Sequence, residues 1–124
     1  MPLSHRNYDK ARVIAPKGRL DHESCEAFQA VLKPHAEACA REGSALVLDL
    51  SGLEYVSSAG LRCLMIAARE AKSRAGRIIV AAMQPVVAEI FQISRFNLVL
   101  EVFPTLRDAL ASVSPQAVQA LERG

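Results

Sequence analysis

Apolar and polar positions along the chain fall into blocks of two kinds. Residues Ala45 to Leu50, ALVLDL, are apolar almost throughout, and a short run of this sort next to Gly43 predicts a strand covered on both faces. Ile78 to Ala82 reads the same way, and Leu98 to Phe103 reads as the last strand. Arg12 to Ala15 is a shorter β-prone stretch ended by Pro16 and Gly18, with His5 to Tyr8 as an edge strand before it and Asp9-Lys10 as the turn. Between the strands the spacing becomes helical. Phe28, Val31, Leu32, Ala36 and Cys39 mark the buried face of a helix that Asp21 caps and Gly43 ends, with Pro34 expected to kink it. Leu61, Leu64, Met65 and Ala68 fall at i, i+3, i+4 and i+7, and predict the inner face of a helix from about Ser58 to Arg74, stopped by Gly76. Gln84-Pro85 opens a third helix whose apolar stripe is Val86, Ile90 and Ile93 with Val87 and Phe91. Thr105 with Asp108 resembles a capping box and opens a final helix to about Val113.

Strands alternating with helices predict an α/β fold built on a mainly parallel sheet with right-handed crossovers. The expected architecture is a four- or five-stranded sheet with an antiparallel edge strand and about four helices. It forms one domain over residues 1–113. Residues 114–124 read as a polar, loose C-terminal tail.

Composition narrows the function classes. With 124 residues, 51% hydrophobic and 23% charged, the chain can bury a core of its own, and with 5% aromatics and no Trp that core rests on Leu, Val, Ile and Ala. A net charge of +2, with basic residues interspersed among acidic ones as in Arg69-Glu70-Ala71-Lys72, argues against nucleic acid as a partner. The first ten residues hold no apolar stretch, and runs such as Ile78 to Met83 are too short to span a bilayer, so a cytoplasmic protein without membrane insertion is expected. Three cysteines, Cys25, Cys39 and Cys63, predict free thiols in a reducing compartment.

In α/β sheets, sites lie outside the carboxyl ends of strands. The loop after ALVLDL reads Ser51-Gly52-Leu53-Glu54-Tyr55-Val56-Ser57-Ser58-Ala59-Gly60-Leu61, so two serines stand where a loop meets a helix N-terminus. Ser57 or Ser58 can be the N-cap, because a serine oxygen accepts the free N–H groups of the first turn. The alternative is a modifiable serine. A phosphate there adds roughly −1.5 to −2 charge, which the helix N-terminus tolerates. Such a change alters what the surface binds rather than unfolding the domain. Arg62, Ile66, Arg69 and Ser73 form an outward stripe on the same helix. It reads either as a solvated face or, at Arg62 and Ile66, as part of a partner surface.

Other chemistries lack support. His22-x-x-Cys25 and His35-x-x-x-Cys39 invite a zinc site, but the two pairs lie about 15–20 Å apart along one helix. A nucleophile elbow needs glycine two residues either side of the serine, and Ser58 has Val56 and Gly60. No Walker loop or GxGxxG is present, and no cofactor is expected.

The stretch LVLDLSGLEYVSSAGLRCLM, Leu46 to Met65, resembles the signature of STAS-domain anti-sigma-factor antagonists: a hydrophobic strand, Asp-x-Ser, a loop, then a Ser-Ser/Ala-Gly-Leu element opening a helix. Gly18-Arg19-Leu20-Asp21 is similar to the family's Gly-x-Leu-Asp before its first helix, and the order of elements is similar over roughly residues 5–113. The resemblance implies a single STAS domain that is a substrate and a ligand, not an enzyme. Its unphosphorylated form would bind an anti-sigma factor that is a serine kinase of the histidine-kinase-like ATPase type. Phosphorylation at Ser58 would release that partner, and a PP2C-type phosphatase would restore the serine. Alignment of Gly60-Leu61 puts Ser58 ahead of Ser57 as the acceptor. Many members carry Asp before the acceptor where this chain has Ser57. The partner surface would comprise Asp21, His22, Ser57, Ala59, Gly60, Arg62 and Ile66. The alternative within the same fold is a constitutive STAS subunit of a transport or sensory complex, with Ser58 at a fixed interface.

Overall fold

The computed structural model describes the backbone of residues 3–74, 76–98 and 100–123. Five strands form the main sheet: β1 (Leu3–Tyr8), β2 (Ala11–Pro16), β4 (Ala45–Asp49), β6 (Arg77–Ala81) and β7 (Glu101–Phe103), in the order β1-β2-β4-β6-β7. β1 and β2 form an antiparallel hairpin in which Asp9 takes the positive-φ turn position, and every other pair is parallel. Two further strands, β3 (Gly18–Leu20) and β5 (Leu53–Val56), pair in parallel as a separate two-stranded sheet. The helices are α1 (His22–Glu42), α2 (Ser58–Ser73), α3 (Pro85–Ile93), α4 (Leu106–Val113) and α5 (Pro115–Arg123), with a 3₁₀ turn at Phe96–Leu98.

Alternation across the pleat sends each central strand's side chains into two cores. Ile14, Leu46, Leu48, Ile78 and Val80 meet Phe28, Leu32, Leu64 and Phe91, which come from α1, α2 and α3. Val13, Val47, Ile79 and Ala81 meet Ala109, Leu110 and Ala117 from α4 and α5 on the opposite face. The expected α/β layering is therefore present, with both faces of the parallel strands covered.

Several expectations shift. The loop after β4 contains β5, whose Leu53 and Val56 are buried while Glu54 is exposed. In α2 the buried face is Gly60, Cys63, Leu64, Ala67, Ala68 and Ala71, so Leu61 and Met65 are only partly covered. Small residues turn inward because α2 lies close against α1, and alanine and glycine admit that approach. In α3 only Val87 and Phe91 are buried, and Val86 and Ile93 face outward. The last strand begins at Glu101 rather than Leu98, which sits exposed in the 3₁₀ turn. α1 continues through Pro34, and Val31 lies at its exposed margin.

The C-terminal residues differ from a loose tail. Ser114 Oγ donates to Asp9 Oδ2 at 2.8 Å and accepts from the N–H of Ala117 at 3.1 Å, capping α5 and tying it to the β1–β2 turn. Ala117 is buried, Val118 and Leu121 pack around it, and Arg107 pairs with Glu122. The cysteines also depart from three free thiols. Cys25 and Cys63 are joined in a disulfide with a Cα–Cα distance of 6.0 Å, and Cys39 alone is free and buried. That separation lies within the range a disulfide spans, because α1 and α2 approach closely at their N-terminal ends.

Candidate functional site

The two helix N-termini that carry the candidate residues are brought together by backbone hydrogen bonds. The N–H of Ser57 donates to the carbonyl of Leu20 at 3.0 Å, which joins the end of β5 to the end of β3. α1 starts one residue after Asp21, and α2 starts at Ser58, so both open from the same edge of the small sheet. Gly60 is buried there, and a Cβ built on it would drive into the carbonyl of Leu20. Glycine is therefore required by a close backbone approach.

At the start of α1 the hydroxyls and carboxylates are committed. Asp21 Oδ1 accepts from the N–H of Ser24 at 3.1 Å, and the N–H of Asp21 donates to Ser24 Oγ at 3.0 Å. This reciprocal arrangement is a capping box with serine in the place of glutamate. Ser24 Oγ in turn lies 3.0 Å from the carbonyl of Arg19 as donor. The N–H of Ser24 holds the Asp21 carboxyl below the usual carboxylate range, with further help from the Ser24 hydroxyl, the N–H of Glu23 and the charge of Arg19. Asp21 is thus an anionic cap, 4.0 Å from the Arg19 guanidinium, which itself stacks 4.4 Å from the centre of the Tyr55 ring.

At the start of α2 the two serines part company. Ser57 is the N-cap, with extended backbone, and its Oγ accepts from the N–H of Gly60 at 3.1 Å. Ser58 occupies the first helical position and is exposed, and its hydroxyl makes no hydrogen bond among the described residues. The open choice between the serines as cap resolves in favour of Ser57.

The other candidates divide between the two ends. His22 is exposed at the first position of α1, and Ala59 and Gly60 follow Ser58 in the first turn of α2. Arg62 is exposed one turn beyond Ser58, at the i+4 spacing that brings side chains together on a helix surface. Ile66, at 42% exposure, stands a further turn along, where it borders a groove of about 260 Å³ between α1 and α2 with Gln29, Lys33 and Glu70. The structure thus places seven of the eight candidates at the paired N-termini or within the first two turns of their helices, and Ile66 midway along α2.

Sequence reasoning missed three supports of this site. Gln84 reaches back to donate to the carbonyl of Ser51 at 2.8 Å, bracing the loop from the start of α3. Arg19 and Tyr55 fix the outer edge of the small sheet. The Cys25–Cys63 disulfide lies beneath the Ser57–Gly60 turn, with Cys25 Sγ 4.0 Å from the carbonyl oxygen of Ala59. The sequence carried no pairing signal for three cysteines, and only the approach of the two helices reveals it. The paired histidine–cysteine motifs also separate. Cys25 is bonded to Cys63, while His35 lies 3.2 Å from the Arg12 guanidinium and against His5 with ring centres 4.8 Å apart.

Comparisons with known proteins show the family and the fold. A family model described as "Mlab, STAS domain" matches residues 4–101. The chain is 30% identical over 120 residues to BtrV of Bordetella bronchiseptica, a protein designated an anti-sigma factor antagonist, covering 95% of this chain and 98% of that one. Among solved structures, one designated an anti-sigma factor antagonist from Thermotoga maritima superimposes with a TM-score of 0.80 at 15% identity, covering 90% of this chain and 93% of that one. The Bacillus cell fate determinant SpoIIAA in its phosphorylated form gives a TM-score of 0.62 at 21% identity, covering 90% of this chain and 98% of that one. Among the described residues, no helix is long and apolar enough to cross a membrane. The chain belongs to the STAS-domain family of anti-sigma-factor antagonists.

Proposed function

We propose that this chain is a partner switch whose state is set by phosphorylation of Ser58. The observation that carries the proposal is the division of labour at the start of α2. Ser57 caps the helix, while Ser58 is exposed and its hydroxyl makes no hydrogen bond among the described residues. A phosphate on Ser58 would sit over the helix N-terminus, where the dipole favours anions, and within one turn of the Arg62 guanidinium. Domain and cap would survive the modification. The surface would not stay the same, because a dianion would appear at the N-terminal end of α2, one turn from Arg62 and opposite the start of α1 that carries Asp21.

In this account the unphosphorylated protein docks through Asp21, His22, Ser57, Ala59, Gly60, Arg62 and Ile66 onto an anti-sigma factor that is also a serine kinase of the histidine-kinase-like ATPase type. Docking frees the factor's target, and transfer of phosphate to Ser58 ends the complex by charge repulsion and by desolvation of the phosphate. A PP2C-type phosphatase resets the switch. The protein acts in the cytoplasm, as substrate and ligand rather than as catalyst. That BtrV is designated an anti-sigma factor antagonist and that SpoIIAA has a phosphorylated form support the reading.

Capture from a lysate of the native cell tests it, with wild type, Ser58→Ala and Ser58→Glu as baits and mass spectrometry as readout. Wild type and Ser58→Ala should retain an ATP-binding serine kinase that Ser58→Glu loses. Identical captures by all three baits would make Ser58 part of a constitutive interface and overturn the switch.

A further inference from the structure

We infer that Cys25 and Cys63 form a thiol–disulfide exchange site that reacts with low-molecular-weight disulfides and stiffens the Ser57–Gly60 turn when oxidised. The bond links the first turn of α1 to the second turn of α2, across a Cα–Cα distance of 6.0 Å. Both helices open from the small β3–β5 sheet, so the bond closes the gap between the two N-termini that carry Asp21 and Ser58. Cys25 Sγ lies 4.0 Å from the carbonyl oxygen of Ala59, which places this sulfur at the border of the turn.

The two sulfurs have different access. Cys25 is partly buried at the margin of the core, whereas Cys63 is 0% exposed. Cys25 is therefore the thiol that meets a reagent, and Cys63 the thiol that resolves the product. With oxidised glutathione as oxidant, the Cys25 thiolate attacks one glutathione sulfur. The glutathione S–S bond breaks, and one glutathione leaves and takes up a proton. The Cys63 thiol then loses its proton, and its thiolate attacks Cys25 Sγ. The mixed disulfide breaks, and the second glutathione leaves with that proton. Two protein thiols are oxidised and one glutathione disulfide is reduced to two thiols. The reverse sequence, begun by reduced glutathione at the same accessible sulfur, reopens the pair. Cys39 stays outside this chemistry, because it is buried in the core, 3.9 Å from the carbonyl of Ala45, and burial pushes its thiol pKa up.

The exchange itself does not depend on Ser58. Its consequence for signalling rests on the partner-switch reading, because a stiffened turn presents Ser58 to a kinase in one fixed geometry. The test equilibrates the full chain with reduced and oxidised glutathione over a range of ratios, blocks remaining thiols with an alkylating agent, and maps the products by mass spectrometry. In wild type the alkylation of Cys25 and Cys63 should fall together as the oxidised fraction rises, and recover when the ratio is reversed. Cys63→Ala should hold one glutathione on Cys25, and Cys25→Ala should take none. Ser58→Ala should titrate as wild type does, which separates this proposal from the phosphorylation reading. Hydrogen exchange at the amides of residues 58–61 should be at least about tenfold slower in the oxidised protein. Cys25 and Cys63 that remain alkylated, or remain linked, at every ratio would overturn the exchange site. Equal hydrogen exchange in both forms would overturn its coupling to the turn.

Discussion

The N-termini of α1 and α2 start from the same small sheet and use the same kind of residue, yet they are finished differently. At α1, Asp21 and Ser24 satisfy one another, and the Ser24 hydroxyl is engaged with the carbonyl of Arg19. Asp21 Oδ1 and Ser24 Oγ are both taken up there. At α2, a single serine, Ser57, does the capping, and the next serine is exposed, with no hydrogen-bond partner among the described residues. A serine inside a closed capping box is held by structure, because moving its oxygen leaves backbone groups unpaired. A serine beside a cap costs the fold nothing to modify. Adjacent serines at a helix start thus take separate roles according to which oxygen the backbone already uses.

The largest effect should come from the contact that holds the two ends together. Gly60→Ala would place a methyl against the carbonyl of Leu20, so it should lower unfolding free energy by about 1–3 kcal/mol in denaturant titration. Stability equal to wild type would mean that the two N-termini are not seated as closely as described. Next comes the comparison of the serines themselves. Ser57→Ala removes the acceptor for the N–H of Gly60 and should cost about 1 kcal/mol. Ser58→Ala removes an exposed hydroxyl with no hydrogen bond among the described residues and should stay within about 0.5 kcal/mol of wild type. The opposite ranking would exchange the roles of the two residues.

The smallest effect lies away from the site and serves as its control. Burial, then the neighbouring charges of His5 and Arg12, lower the pKa of His35 from its ordinary value near 6.5. Glu42 lies 3.8 Å from Arg12 at the same edge. The unfolded chain therefore binds a proton at His35 more readily than the folded one. This contribution to stability is fully present above the unfolded pKa, and is lost as pH falls from about 6.5 towards the lower folded value. Thermal melts across that window should show the decline, and His35→Gln should flatten it. The Ser57 and Ser58 variants should leave the slope unchanged, because the His35 cluster sits between β1, β2 and α1, apart from the start of α2.

Much of this was legible from local chemistry. Asp21 and Gly43 bound α1 as their cap preferences predict, and Gly43 takes the positive φ of 71° that favours glycine. The continuous apolar runs in β4 and β6 report strands covered on both faces. What escaped depended on partners distant in sequence. β3 and β5 have three and four residues, too few for an alternating pattern, and exist because they pair with each other. The inward face of α2 is set by how closely α1 approaches, which favours Cys63, Ala67 and Ala71 over the bulkier Leu61 and Met65. α5 is anchored by Ala117 and by a serine that reaches Asp9, at the other end of the sequence. The site was legible as a serine pair at a loop–helix junction, but not which serine caps, nor that a disulfide lies below.

The central claim is that Ser58 alone carries the phosphate. Its most direct test is phosphopeptide mapping of the chain isolated from its native cells with phosphatases blocked, using fragmentation that separates Ser57 from Ser58. The expected result is a phosphorylated population with the modification on Ser58 and Ser57 unmodified. Phosphate on Ser57, or none under any growth condition, would contradict it.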